Sequence, residues 1–215
     1  MTITRKILTG LVPGLVAIAL AFGAVGTASA QQVEMIEFMK AGPLGEKEMG
    51  NKDAPVTVVE YASLTCPHCA HFAETVFPKL KEKYIDTGKV RFIYRDFPLN
   101  DRARVAAMFA HCVPKENYFD FVDILFKTRL QWATAEPEQF KPALFAIARQ
   151  VGFTQESLKP CVENQKTLDA IFWVEDRASQ KFGVNQTPTV FVNGVNLGDD
   201  NSFEALDKAI AKAAE

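Results

Sequence analysis

The apolar positions of this chain follow three rhythms. From about Ile7 to Ala24 they form one stretch, broken by Gly10, Pro13 and Gly14. No other run approaches the roughly 18 apolar residues that a membrane-spanning helix needs. Residues 56–61 and 90–94 are short β-branched and aromatic runs that read as strands, the first buried on both faces. Glu60 is the odd member of that first run. Between them the period becomes helical, with Phe72, Val76, Leu80 and Tyr84 recurring every four residues behind Cys66. Upstream, residues 33–38 read as a short edge strand and 42–45 as a loop.

From about Asp101 to Lys181 the helical period holds almost throughout. Val105, Met108, Phe109 and Cys112 share one face. Phe119, Val122, Phe126 and Leu130 make a second stripe, and Phe140, Leu144, Ile147 and Val151 a third. Residues 158–162 give a short segment, and Leu168, Ile171, Phe172 and Glu175 open a last helix. Strand signals return at 189–192 and 195–197, joined by Asn193-Gly194, the residue pair of a tight hairpin. Residues 202–213 read as a closing helix with Asn201 or Ser202 at its N-cap. A strand–helix–strand unit, five helical segments, then a hairpin and a helix describe an α/β chain. The expected fold is thioredoxin-like, with an inserted all-helical subdomain packed as its own bundle. The expected divisions are a signal at 1–30, an N-terminal extension at 31–50, a first thioredoxin-like part at 51–100, the insertion at 101–181, and a second part at 182–215.

Charge and the N-terminus then set a compartment. Arg5 and Lys6 precede the first apolar stretch, and Ala28-Ser29-Ala30 follows it, the pattern of a secretory signal cut after Ala30. An uncleaved anchor is the competing reading, and the internal Pro and Gly weigh against it. The chain has 24 Lys and Arg against 26 Asp and Glu. The first thirty residues hold two of those cations and no acid, so the remainder is net −4. That balance argues against nucleic acid as a partner. All four cysteines, at 66, 69, 112 and 161, lie in the exported part, where an even count favours disulfides over metal. A periplasmic location is the expectation.

The spacing of Cys66-Pro67-His68-Cys69 carries the chemistry. Cys66 falls at the start of a helix, where unpaired backbone N–H groups favour negative charge, and Pro67 fits the first turn. Cys66 is therefore expected to be an acidic thiol, with Cys69 one turn on, more buried, able to bridge back. The His68 imidazole is placed to lend a hydrogen bond or positive charge to the Cys66 sulfur. A stabilised thiolate favours the reduced form and makes the disulfide oxidising. Zinc would need four ligands, and Cys112 and Cys161 stand singly, 49 residues apart. No metal and no cofactor beyond the cysteine pair are expected. A purely structural disulfide so close in sequence constrains the unfolded chain little.

Further positions are read with their plainer alternatives. Thr187-Pro188 precedes the hairpin, as either an ordinary strand-start proline or a cis-proline facing the active cysteines, leaving the Thr187 backbone free to pair with an extended substrate. Glu60 is either a strand-end acid paired with Lys or Arg, or a proton carrier for Cys69. Cys112 and Cys161 read as a structural clamp, with a second redox pair or free buried thiols as alternatives. His71 and His111 read as ordinary helix residues.

These motifs together resemble the DsbA family of bacterial thiol–disulfide oxidoreductases. The matching pieces are Val58-Val59-Glu60-Tyr61, Cys66-Pro67-His68-Cys69, the inserted helices, and residues 187–194, Thr-Pro-Thr-Val-Phe-Val-Asn-Gly. The resemblance implies that Cys66 is the nucleophilic cysteine, Cys69 its buried partner, His68 the disulfide-destabilising histidine, Glu60 the buried acid and Pro188 the cis-proline. It further implies reduced exported proteins as substrates and a quinone-linked membrane reoxidase of the DsbB type as partner. Thr187 departs from the Val that the best-known oxidases carry there and looks more like the isomerases. An isomerase or reductase kept reduced is thus the runner-up. Isomerases of this kind dimerise through an added N-terminal domain, and only about 20 residues separate the signal from the first core strand, so a monomer is expected. A peptide-binding chaperone using only the Pro188 face is the reading from another class, which the intact cysteine pair disfavours.

Overall fold

The computed structural model describes residues 33–215, with Thr2. The expected signal at 1–30 lies outside the described residues. The central strands follow from the apolar runs: β2 (Val56–Ala62) and β3 (Val90–Asp96) pair in parallel from Val56 with Val90 to Ala62 with Asp96. They extend one and two residues beyond their apolar cores, because the polar ends still find ladder partners. β1 (Lys47–Met49) runs antiparallel to β3, and β4 (Thr189–Val192) antiparallel to β2. β5 (Val195–Asn196) completes the order β1-β3-β2-β4-β5. β2 therefore sits at the centre, and Val58 and Val59 on its opposite faces are both fully buried.

The hairpin forms as its sequence predicts. Asn193 and Gly194 take φ values of 44° and 77°, the two left-handed positions that Asn-Gly supplies. Gly194 is doubly required, since a Cβ there would come within 2.5 Å of the Met35 sulfur.

Met35 belongs to the element that departs most from expectation. Residues 33–38 form no strand. Met35–Phe38 is a one-turn helix, α1, because the Glu34 carboxylate accepts from the Ile36 and Glu37 N–H groups at 3.1 and 2.8 Å. The edge position goes instead to β1, held to β3 by an ion pair from Arg91 to its Glu48 at 2.6 Å and by one from Arg95 to Glu46, just ahead of it, at 2.7 Å.

A single helical run occupies 67–85. It is α-helical at α2 (Pro67–His71) and α3 (Phe77–Leu80), and π-helical at Phe72–Val76 and Lys81–Ile85. Pro78, with no N–H to donate to residue 74, lies just after the first wide turn. The insertion comprises α4 (Asp101–Ala110), α5 (Tyr118–Lys127), α6 (Arg129–Trp132), α7 (Pro137–Gln150), α8 (Gln155–Val162) and α9 (Gln165–Phe182). These helices do not close on a core of their own. Phe109, Phe121, Leu125, Trp132 and Leu144 belong to one buried cluster with Val58, Phe92 and Leu80 of the sheet and the 67–85 run. The last helix reaches both sheet faces: Ile171 packs in that cluster, while Ala178 and Phe182 pack with Val59, Tyr61 and Phe191 on the other side.

Two predicted stripes shift. Leu130 is 68% exposed and Tyr118, Phe121 and Leu125 are buried instead, because the helix breaks at Thr128 and resets the period before Trp132. Trp132 Nε1 then donates to the Leu125 carbonyl at 3.0 Å. Val151 and Phe172 also face outward, the first beyond the end of α7 and the second beneath the Arg104 guanidinium. α10 (Phe203–Ala213) closes the chain with Ser202 as N-cap.

Cys112 and Cys161 form a disulfide that ties the end of α4 to α8. Closing a loop of this length restricts the unfolded chain by about 4 kcal/mol in the chain-entropy picture. Replacing both cysteines with alanine should lower unfolding stability by roughly that amount in denaturant titration. The 66–69 pair should keep its titration behaviour.

Candidate active site

Cys66 is the N-cap residue of α2, extended at φ −75° and ψ 126°, and Pro67 occupies the first helical turn. The proline removes one N–H and leaves those of His68 and Cys69 aimed at the Cys66 sulfur. The thiol itself donates to the Thr187 carbonyl at 3.2 Å. Thr187 and Pro188 are joined by a cis peptide bond, which brings the strand entering β4 against the helix start. Both cysteines are free thiols; Cys66 is 5% exposed and Cys69 fully buried.

These contacts push the two sulfurs apart in acidity. The Cys69 thiol beside Cys66, more than offsetting burial, holds Cys66 down at about 5, with the two backbone N–H groups of His68 and Cys69 adding to the effect. Burial pushes Cys69 well up, and the Cys66 sulfur and Glu60 add to that. At neutral pH the pair is therefore one thiolate and one thiol, the state suited to exchange.

Glu60 lies in mid-β2, 4% exposed, and its Oε1 has no partner among the described residues. Burial, helped by the Cys66 charge, raises it to about 8. The strand-end ion pair to Lys or Arg considered from sequence is absent among the described residues. His68 reaches the sulfur through its backbone N–H, while its side chain is exposed. It lines, with Phe72, Thr187, Pro188 and Asn201, a surface groove of about 490 Å³. His71 is also exposed, its Nε2 3.3 Å from Thr75 Oγ1.

Two features were not read from the sequence. One is the Thr187 carbonyl on Cys66, a backbone contact that leaves no residue-type signal. The other is His111, whose Nε2 sits 2.7 Å from Asp96 Oδ2 in a mostly buried pair joining the end of β3 to the end of α4. Among the described residues no cluster of His, Cys, Asp and Glu has the makings of a metal site. None of their helices is long and apolar enough to cross a membrane.

A thioredoxin-like sheet carrying an acidic N-cap cysteine, a buried second cysteine and a facing cis-proline defines a thiol–disulfide oxidoreductase. A thioredoxin family model matches residues 44–212. A putative protein-disulfide oxidoreductase of Rickettsia bellii is 34% identical over 188 residues, covering 86% of this chain and 71% of the relative. Other Rickettsia relatives are longer, and the chain spans 60–61% of their length. The crystal structure of Wolbachia pipientis alpha-DsbA1 is 33% identical, with a TM-score of 0.75, covering 84% of this chain and 96% of that one. The chain belongs to the DsbA family.

Proposed function

We propose that this protein is an exported dithiol oxidase that introduces disulfides into newly translocated proteins. The observation that carries this reading is the placement of Cys66 at the N-cap of α2 beside a fully buried Cys69, which keeps the first thiol acidic and the second not. A sulfur so comfortable as an anion favours the reduced enzyme, so the Cys66–Cys69 disulfide tends to be given away. In each cycle a substrate thiolate attacks Cys66 and forms a mixed disulfide, and Cys69 leaves as a thiolate that takes up a proton. A second substrate thiolate then attacks its own mixed-disulfide sulfur and expels Cys66. Two electrons and one proton, the one on Cys69, pass to the enzyme; Cys66 is left as a thiolate, the second proton goes to solvent, and no bound group beyond the cysteine pair takes part.

The groove beside Pro188 and Thr187 is where an extended substrate segment docks, and Glu60 serves the Cys69 proton. The signal-like first thirty residues support export to the periplasm. Relatives named disulfide bond formation protein D, such as that of Bacillus anthracis at 31% identity, support the oxidase direction. Reoxidation falls to a quinone-linked membrane protein of the DsbB type, and the enzyme works as a monomer on protein rather than nucleic-acid substrates.

Equilibration of the protein with glutathione buffers tests the direction. The couple should sit well above the poise of a structural cystine; a potential in the reductase range would favour the isomerase or reductase reading, which Thr187 suggests. Replacing His68 with alanine should make the disulfide harder to reduce in the same assay. An unchanged potential would remove the imidazole from the account and leave only its peptide N–H.

A further inference from the structure

Cys69 must lose its proton each time it closes the disulfide, yet it is fully buried, and the Glu60 carboxyl that acts on it is buried too. A proton handed to Glu60 still has to reach solvent. The structure contains an opening for it. A cavity of about 240 Å³ lies between the 67–85 run and α5, with Glu60 and Tyr94 in its wall and Lys81, Asp120 and Asp123 also lining it. Glu60 and Tyr94 are register partners on the parallel strands β2 and β3, so their side chains leave the same face side by side. Each carries a buried polar atom with no partner among the described residues, Glu60 Oε1 and Tyr94 Oη. Two orphaned atoms in the wall of one cavity meet the requirement for ordered water, and the volume far exceeds the roughly 15 Å³ that one molecule needs.

We infer that water in this cavity links Glu60 to the Tyr94 hydroxyl and carries the Cys69 proton out between the active-site helix and α5. This rests on the role proposed above for Glu60 and adds its exit and a positioning residue, Tyr94.

The charged surroundings agree with outward travel. Glu60 faces Cys66 and Cys69 on one side and Tyr94 on the other, and Tyr94 is in turn near Tyr118 and Asp96. Among the other charged groups of the cavity, Lys81 is paired with Asp86 and Asp123 with Lys127, each at 2.6 Å. Asp120 is exposed and makes no ion pair among the described residues, a free carboxylate where the proton leaves. In the step itself, Cys69 attacks the Cys66 sulfur of a mixed disulfide and the Cys66–Cys69 bond forms. The outer thiol leaves as thiolate, and the Cys69 proton passes to Glu60, then to cavity water.

Two variants test the route from different sides. Tyr94→Phe deletes the hydroxyl and keeps the ring; Ala73→Leu fills the cavity wall and keeps both polar groups. Reduced protein is mixed with oxidised glutathione, and closure of the Cys66–glutathione intermediate is followed by acid quench and mass. Both variants should slow closure about tenfold, a modest share of what general acid–base help supplies. Both should also show a larger solvent deuterium effect, which a packing defect alone would not produce. The midpoint of the Cys66 thiolate titration should stay in place. Glu60→Gln separates the outcomes: if it alone slows closure, the water route is wrong and the Glu60 role stands. If it too closes at the wild-type rate, both fall.

Discussion

Replacing Cys66 with alanine should abolish disulfide exchange, whereas replacing Cys69 with alanine should leave a protein that accumulates mixed disulfides. The asymmetry follows from where the helix puts the two sulfurs. Cys66 alone sits at the helix N-cap and is held as a thiolate; Cys69 is enclosed, and without it an attached partner can leave only by attack of an outside thiol. The thiolate absorbance of the reduced protein should titrate with a midpoint near 5. Exchange at Cys66 should therefore be nearly independent of pH above about 6 and fade as pH falls through 5. Because the neighbouring Cys69 thiol is the largest cause of the low value, the Cys69→Ala protein should titrate distinctly higher. A midpoint in the ordinary thiol range for the intact reduced protein would sink the oxidase reading at its root.

Glu60→Gln should produce two effects of opposite sign. Closure of the disulfide by Cys69 should slow by on the order of 100-fold, the usual scale of a lost proton acceptor. Stability should rise, the gain building through one pH window and persisting above it. An acid whose folded pKa is raised binds its proton more tightly in the fold than in the unfolded chain, so wild-type stability falls as pH rises between the two values. For Glu60 that window runs from the ordinary carboxyl value of 4.5 to about 8. At pH 4 the two proteins should unfold alike. Above pH 8 the glutamine variant should be more stable by up to several kcal/mol, since each pH unit of that window is worth about 1.4 kcal/mol. Urea unfolding at the two pH values reads the difference, and equal stability at both would mean that Glu60 ionises freely. A residue that weakens the fold where the enzyme works is easiest to understand as functional.

Much of this was legible beforehand because the informative residues are local. Cys66-Pro67-His68-Cys69 sits where an apolar strand gives way to a helical period, and Asn193-Gly194 can form few turns other than the one observed. Glu60 announced itself as one acid in a run of valines. What could not be read depends on pairing across the chain. Once the β2–β3 register is known, Tyr94 falls beside Glu60, but the alternation of residues 90–94 does not disclose that register. The helical turn at Met35–Phe38 escaped because its apolar residues suit a strand, and the deciding group was a single capping carboxylate on Glu34. The stripe through Leu130 failed for a related reason: a four-residue period cannot announce a break at Thr128 until the burial of Trp132 shows which face won.

The Cys66 sulfur and the Thr187 carbonyl that faces it lie 121 residues apart. On the export route proposed above, Cys66 and Cys69 emerge first, Cys112 next, Cys161 later and Thr187 last. The emerging thiols thus meet an oxidising environment before the surface that will govern them exists. Ring size favours the nearest pair, so Cys66 and Cys69 close on each other while Cys112 still waits for its mate. On that order of arrival the long-range bond is shielded from capture by the reactive pair, and the Thr187 contact to Cys66 forms only when the final hairpin docks.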